Sequence, residues 1–254
     1  MTARALPYDL IGTGPRRVLV LHGWLGDRTS FDAIRAHLGA EFTYCFVDYR
    51  GYGDARGVSG EYTVEEIAGD ALATVDALGW TDFAILGHSM GGMAAQALLL
   101  AAPARVRALV GISPVPASGV PFDEQGWALF SGAADEPANR RMIIDLTTGN
   151  RLSAAWLDAM VGRSVDRSDT RAFRGYLDSW AKADFHRRID GNTVPVLVVT
   201  GAHDPALSAE VMRSTWLRWY PNAELVEFAD AGHYAPDELP LLLVSTVEKF
   251  LAGR

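Results

Sequence analysis

The sequence predicts an α/β protein: a mostly parallel sheet covered by helices on both faces, with an all-helical segment inserted between two strands. Three observations carry that expectation. Short β-branched or aromatic runs alternate with longer helical patterns over residues 8–112, the strand pattern lapses from Ser113 to about Asn192, and it resumes at Val194. Most of the strand runs are apolar throughout, the mark of strands buried on both faces.

Taken in order, YDLI at 8–11, RVLVLHG at 17–23, FTYCFVDY at 42–49, DFAILGHS at 82–89 and VRALVGIS at 106–113 read as strands. Between the third and fourth, Val64, Ile67, Ala71, Leu72, Val75 and Leu78 recur at helical spacing over about 63–78, and Gly79 closes the helix. Another helix runs from Met90 to about Ala102 and stops near Pro103. After SPVPASGVP come helical patterns around 123–132, 138–147, 153–162 and 169–185. The sheet returns with VPVLVVTG at 194–201 and AELVEFADAG at 223–232, with helices at about 207–220 and 238–252. The chain therefore divides into a first core part at 1–112, a helical insertion at 113–192 and a second core part at 193–254. The insertion is expected to cover the carboxyl ends of the strands, where open α/β sheets bind ligands.

With 254 residues, 49% of them hydrophobic, the chain can bury a core without a disulfide or structural metal. Its 31 acidic against 23 basic residues give a net charge of −8, a balance that argues against nucleic acid and anionic membrane as partners. The single cysteine, Cys45 in YCFV, reads as a small buried strand residue. No secretory signal or 18-residue apolar run is apparent, so a soluble cytoplasmic protein is expected.

Chemistry gathers at strand ends. Ser89, in Gly87-His88-Ser89-Met90-Gly91, occupies a sharp strand-to-helix turn that pushes its hydroxyl outward, and the flanking glycines allow strand and helix to approach. A serine hydroxyl needs a base to become a nucleophile. Of six histidines, His233 alone lies in a loop after the last strand, where it can return to the strand ends. Its carboxylate partner is expected to be Asp204, directly after the strand at 195–200, with Asp230 as the alternative. Ser, Asp, His is one of three chain orders in which such triads occur. Oxyanion donors are expected from the backbone N–H groups of Met90, at the helix start, and Trp24, in the loop after the second strand. No residue pattern calls for a metal or another cofactor.

HGW at 22–24, DYRGYG at 48–53, GHSMGG at 87–92, GAHD at 201–204 and GHY at 232–234 together resemble the α/β-hydrolase superfamily. The similarity is to its branch of small serine esterases and lactonases with a helical cap, which also includes perhydrolases and carbon–carbon bond hydrolases. It extends over essentially the whole chain and implies the α/β-hydrolase fold, with Ser89, Asp204 and His233 catalytic, Trp24 and Met90 as oxyanion donors, and Asp48 and Arg50 structural. Haloalkane dehalogenases and epoxide hydrolases share the scaffold but attack with aspartate, which Ser89 argues against. The carbon–carbon hydrolases typically carry Trp after the histidine, whereas this chain has Tyr234. The resemblance implies cleavage of small-molecule carboxylic esters, possibly lactones. Carbon–carbon cleavage of diketo acids and a hydrolase-like receptor or binding module are the alternatives.

The insertion supplies Trp127, Phe130, Met142, Ile143, Trp156, Met160, Phe173, Tyr176 and Trp180, of which an inward-facing subset would form an apolar pocket. Arg140, Arg141, Arg187 and Arg188 read as a solvated edge of the cap.

Overall fold

The computed structural model describes residues 2–254. Seven strands form one sheet in the order β1-β3-β2-β4-β5-β6-β7: β1 (Tyr8–Ile11), β2 (Arg16–Leu21), β3 (Phe42–Val47), β4 (Phe83–His88), β5 (Val106–Ile112), β6 (Val196–Gly201) and β7 (Ala223–Phe228). Only β1 runs antiparallel, against β3; the other neighbours are parallel. Parallel neighbours need crossovers, so the chain must leave the sheet after each strand, and it does so mostly through helices.

The core carries α1 (Asp32–Arg35), α2 (Val64–Ala77) and α3 (Met90–Ala101) before the insertion, which contains α4 (Glu124–Gly132), α5 (Pro137–Thr147), α6 (Ala154–Asp166), α7 (Thr170–Lys182) and α8 (His186–Ile189). The remaining helices are α9 (Ala209–Ser214), α10 (Trp216–Trp219), α11 (Ala235–Glu238) and α12 (Pro240–Ala252). Helix α2 starts at Thr63, whose side chain accepts the Glu66 N–H at 3.1 Å, while Glu66 reaches back to the N–H groups of Glu61 and Tyr62. Apolar side chains from the two sheet faces build two core clusters. One includes Leu19, Ile85, Met93 and Val198 and continues into the cap through Phe173 and Trp180; the other includes Val20, Leu86, Val110 and Phe250. No helix among the described residues is long and apolar enough to cross a membrane.

Several expected helices are shorter than their patterns. The stretch at 207–220 splits at Thr215, whose backbone leaves the helical region at φ −122°, ψ −88° while its hydroxyl donates to the Val211 carbonyl at 2.6 Å. Pro240 lacks an N–H, so the last helix begins afresh there after the single turn of α11. Arg140 corrects the expected solvated cap edge: it is only 3% exposed. Its position explains this, because Arg140, Ile143, Ile144 and Thr147 form the buried stripe of α5. The guanidinium donates to the carbonyls of Ala133 and Ser164 at 2.8 Å and to the hydroxyls of Ser164 and Ser168 at 3.0 and 2.9 Å. It also lies 3.8 Å from the Phe173 ring centroid, so acceptors and a π face replace its hydration. Arg141, Arg187 and Arg188 remain at least partly exposed.

The segment after β3 anchors the body. Asp48 is fully buried and accepts the N–H groups of Arg28 and Asp54 at 3.0 and 2.8 Å, as well as the Arg28 guanidinium. Arg50 makes a bidentate pair with Asp70 on α2, Nε to Oδ2 at 2.6 Å and Nη2 to Oδ1 at 2.8 Å. Both side chains are 3% exposed, so Asp70→Asn removes the charge facing a buried cation. Because Glu66 stands 3.3 Å from Arg50 Nη1, the expected loss lies near the low end for a broken buried pair, about 3 kcal/mol in urea unfolding. A loss below about 1 kcal/mol would contradict this role.

Candidate active site

Strand β4 delivers the chain to Ser89 and α3 carries it away at once. Ser89 has φ 54°, ψ −119°, a strained conformation for a residue with a Cβ. The turn closes only because its neighbours lack side chains: a Cβ on Gly87 would stand 2.4 Å from the Gly91 carbonyl oxygen, and one on Gly91 2.3 Å from that of Leu21. Ser89 is thereby pressed against the loop that follows β2.

Asp204 follows β6 and is buried; His233 lies in the loop after β7. His233 Nδ1 stands 2.7 Å from Asp204 Oδ2. An ionised carboxylate can only accept, so Nδ1 carries the proton and Nε2 is the acceptor nitrogen. The second Asp204 oxygen accepts the N–H groups of Ala206 and Leu207 at 3.0 and 3.1 Å. Burial alone would raise the Asp204 carboxyl, but His233 and these donors outweigh it and hold the group below the usual carboxylate range. Asp230 is exposed, its carbonyl takes Arg151 Nη2 at 3.0 Å, and among the described residues its carboxylate makes no hydrogen bond to His233, which pairs with Asp204 instead.

Further groups fix the His233 loop. Glu238, on α11, accepts the N–H of Gly232 at 2.9 Å and that of Tyr234 at 3.0 Å, gripping the peptide on either side of the histidine. The His233 N–H donates to the Thr147 carbonyl at 3.0 Å, tying the loop to cap helix α5. His88 Nε2, 2.9 Å from the His233 carbonyl, must donate, which joins this loop to the serine turn. Burial and the neighbouring His233 push the His88 pKa down to about 3, so this donor remains neutral.

Trp24 and Met90 complete the surroundings of Ser89. A Cβ on Gly23 would stand 3.2 Å from the Ser89 Cβ, which measures how close this loop comes. Neither the Trp24 nor the Met90 N–H donates to a described residue. The Ser89 hydroxyl likewise makes no hydrogen bond to a described residue.

Ser89, His233 and Trp24 line one cleft, whose free volume is about 80 Å³. Of the large apolar cap residues, an inward-facing subset was expected: Phe130, Ile143, Met160 and Trp180 line the cleft, whereas Trp127, Met142, Trp156, Phe173 and Tyr176 do not. Phe122, Val120 and Thr147 also line it, and sequence spacing gave no signal for them because they lie in the cap's entry loop or at a helix end. The side chain of Trp24 stacks on Phe173 at 4.0 Å and donates its Nε1–H to the Phe173 carbonyl at 2.8 Å. Among the described residues, no lysine or arginine lines this cleft, and no cluster of three potential metal ligands occurs in the chain.

A family model described as the alpha/beta hydrolase fold matches residues 16–148. The chain is 27% identical over 255 residues to 2-hydroxy-6-oxononadienedioate/2-hydroxy-6-oxononatrienedioate hydrolase 1 of Dechloromonas aromatica, covering 91% of this chain and 84% of that protein. It is 28% identical over 237 residues to the pimeloyl-[acyl-carrier protein] methyl ester esterase of Citrobacter koseri, covering 87% and 88%. Among solved structures, a hydrolase from Oleispira antarctica superposes with a TM-score of 0.87 at 20% identity, covering 97% of this chain and 94% of that one.

The buried histidines generate a pH prediction. Burial lowers His88 and also His22, so the folded state refuses protons that an unfolded histidine takes up near pH 6.5. Stability contributed by these neutral rings is therefore full above about pH 6.5 and falls as the pH drops toward the folded-state pKa. Urea unfolding between pH 7 and 4 should show a decline that His88→Asn makes shallower by up to about 1.4 kcal/mol per pH unit. Equal slopes for the two proteins would refute the assignment.

Proposed function

The chain belongs to the α/β-hydrolase fold family, and from that premise we propose that it is a serine hydrolase of small to medium, neutral, largely apolar carboxylic esters, lactones included. The observation that carries the reading is Ser89 in a strained turn, sharing one apolar cleft with a His233 whose far ring nitrogen is bonded to buried Asp204.

In the proposed cycle, His233 Nε2 takes the Ser89 proton as Oγ adds to the ester carbonyl. The N–H groups of Trp24 and Met90 hold the resulting oxyanion. Asp204 stabilises the imidazolium, which then gives its proton to the departing alkoxide, leaving an acyl-serine. Water, deprotonated by the same nitrogen, adds to the acyl carbon; collapse expels the serine oxygen, which recovers a proton, and the acid leaves.

The cleft wall supports the choice of substrate. One relative is named for a dicarboxylate, but a carboxylate placed in this cleft would meet no lysine or arginine partner among the described lining residues. Carbon–carbon cleavage of diketo acids is therefore the weaker reading. A small uncharged molecule is the proposed partner, with Trp24, Phe122, Phe130 and Trp180 offering aromatic contact to its apolar part.

Ser89→Ala should lower p-nitrophenyl butyrate turnover by roughly 10⁴-fold or more with unchanged circular dichroism. A variant retaining a tenth of the rate would end the proposal. Asp204→Asn should cost roughly 10²–10⁴-fold while Asp230→Asn leaves kcat within about twofold; the reverse order would show the acid to be misassigned. For the substrate class, p-nitrophenyl hemiglutarate should have a kcat/KM about 10²-fold below that of the butyrate, since its free carboxylate enters unpaired. Equal values would contradict the neutral-acyl reading.

A further inference from the structure

The loop that carries Trp24 has three consecutive peptide carbonyls, each accepting from a side chain. The Tyr49 hydroxyl donates to the His22 carbonyl at 2.9 Å, and the Tyr52 hydroxyl donates to the Trp24 carbonyl at 2.8 Å. Between them, His22 Nδ1 lies 2.8 Å from the Gly23 carbonyl and must be the donor. The three donors form one block: His22 stacks on Tyr49 with centroids 3.7 Å apart, Tyr52 lies 5.3 Å from His22, and Tyr176 of α7 lies 5.6 Å from Tyr52. Burial pushes both phenols far above their ordinary range and pushes His22 down, so all three donors stay neutral and protonated at the bonding atom.

This arrangement meets a mechanical need. The N–H of Trp24 belongs to the Gly23–Trp24 peptide, and in a planar trans peptide it points opposite to the Gly23 carbonyl. Its direction is therefore set by whatever holds the carbonyls around it. Stiffening the loop from within at residue 23 would crowd the serine turn, because a Cβ there would stand 3.0 Å from His88 Nδ1 and 3.2 Å from the Ser89 Cβ. Glycine keeps the clearance but leaves the backbone free to turn. Stiffness has to come from outside, and the two phenols supply it on the peptides before and after.

We propose that Tyr49 and Tyr52 are positioning residues for the reaction: their hydroxyls hold the Trp24 N–H on the developing oxyanion. This rests on the serine-hydrolase reading. Neither phenol is among the residues that line the cleft, so neither touches substrate. Tyr52 also couples the cap to the site, since it bridges to Ser168 while the neighbouring Gly53 N–H donates to the Arg167 carbonyl at 2.8 Å.

The test uses the full chain with Tyr49→Phe and Tyr52→Phe, each of which deletes one hydroxyl and keeps the ring; either alone suffices if the other fails to fold. Tyr176→Phe is the control, because its hydroxyl sits in the same block without a hydrogen-bond partner. Each positioning variant should lose about 10-fold in kcat with KM held within about twofold. An aryl trifluoromethyl ketone reports the oxyanion directly, because addition of Ser89 Oγ gives a hemiketal with the charge on the former carbonyl oxygen. Its Ki should rise by the factor by which kcat/KM falls, while the affinity for the matching uncharged amide, a ground-state analogue, stays constant. Tyr176→Phe should leave all of these values unchanged. An unaltered ketone Ki in both positioning variants, or an equal loss in Tyr176→Phe, overturns the proposal and leaves the hydrolase reading standing. Absence of any ¹⁹F hemiketal signal with the wild-type protein overturns the hydrolase reading and the proposal with it.

Discussion

The close approach of three backbones at the carboxyl end of β2 and β4 is the constraint on which the rest depends. Gly87 and Gly91 let α3 leave β4 so abruptly that Ser89 must accept a positive φ, and Gly91 lets the helix start against the Leu21 carbonyl. Gly23 packs against the Ser89 Cβ from the other side, where a Cβ would press on its neighbours, while at Gly87 and Gly91 backbone atoms leave no room for one. A hydroxyl, a helix N-terminus and a loop amide are thereby concentrated in one small volume. The strain at Ser89 is tolerated because the surrounding sheet, buried on both faces, holds its ends in place.

Around that point the molecule places its polar groups in layers. The parts that face the cleft are mostly apolar, so few groups compete with a substrate for the serine or the histidine. Behind them stand buried donors and acceptors that fix the loops: Asp204 and Glu238 for the histidine, His88 between histidine and serine, the tyrosines for Trp24. Ionic contacts lie farther out. Arg167 of the cap pairs with buried Asp27 at 2.5 Å and with Asp54 at 3.2 Å, so cap and body meet through charges that do not line the cleft. In such a scheme the cap does more than cover the cleft, because its Phe173 and Thr147 carbonyls accept from Trp24 and from His233.

What could be read from the sequence follows from how locally each feature is encoded. The sheet is legible because fully buried parallel strands are apolar throughout, and the serine turn because its glycines sit at fixed offsets from Ser89. Asp204 and His233 are legible as the residues just past two strand ends, a position that the topology converts into proximity. Arg140 was not, since composition marks arginine as exposed whereas its phase on α5 buries it among acceptors from three other segments. Nor were Glu238 and Tyr52, whose partners lie 6 and 28 residues away and are backbone atoms, which carry no residue-type signal. The inward-facing part of the cap was half legible: helical spacing separates buried from exposed faces, but which buried residue meets the cleft depends on how helices pack together.

On the proposed reading, Ser89 is a nucleophile made reactive by its turn and its neighbours. Its most direct test is covalent labelling of the native protein with a fluorophosphonate, followed by peptide mass spectrometry. A single adduct is expected, located on Ser89, forming at the rate at which esterase activity disappears and not forming when the protein is first unfolded in urea. Full inactivation with the label on another residue, or complete activity after stoichiometric labelling of Ser89, would contradict it.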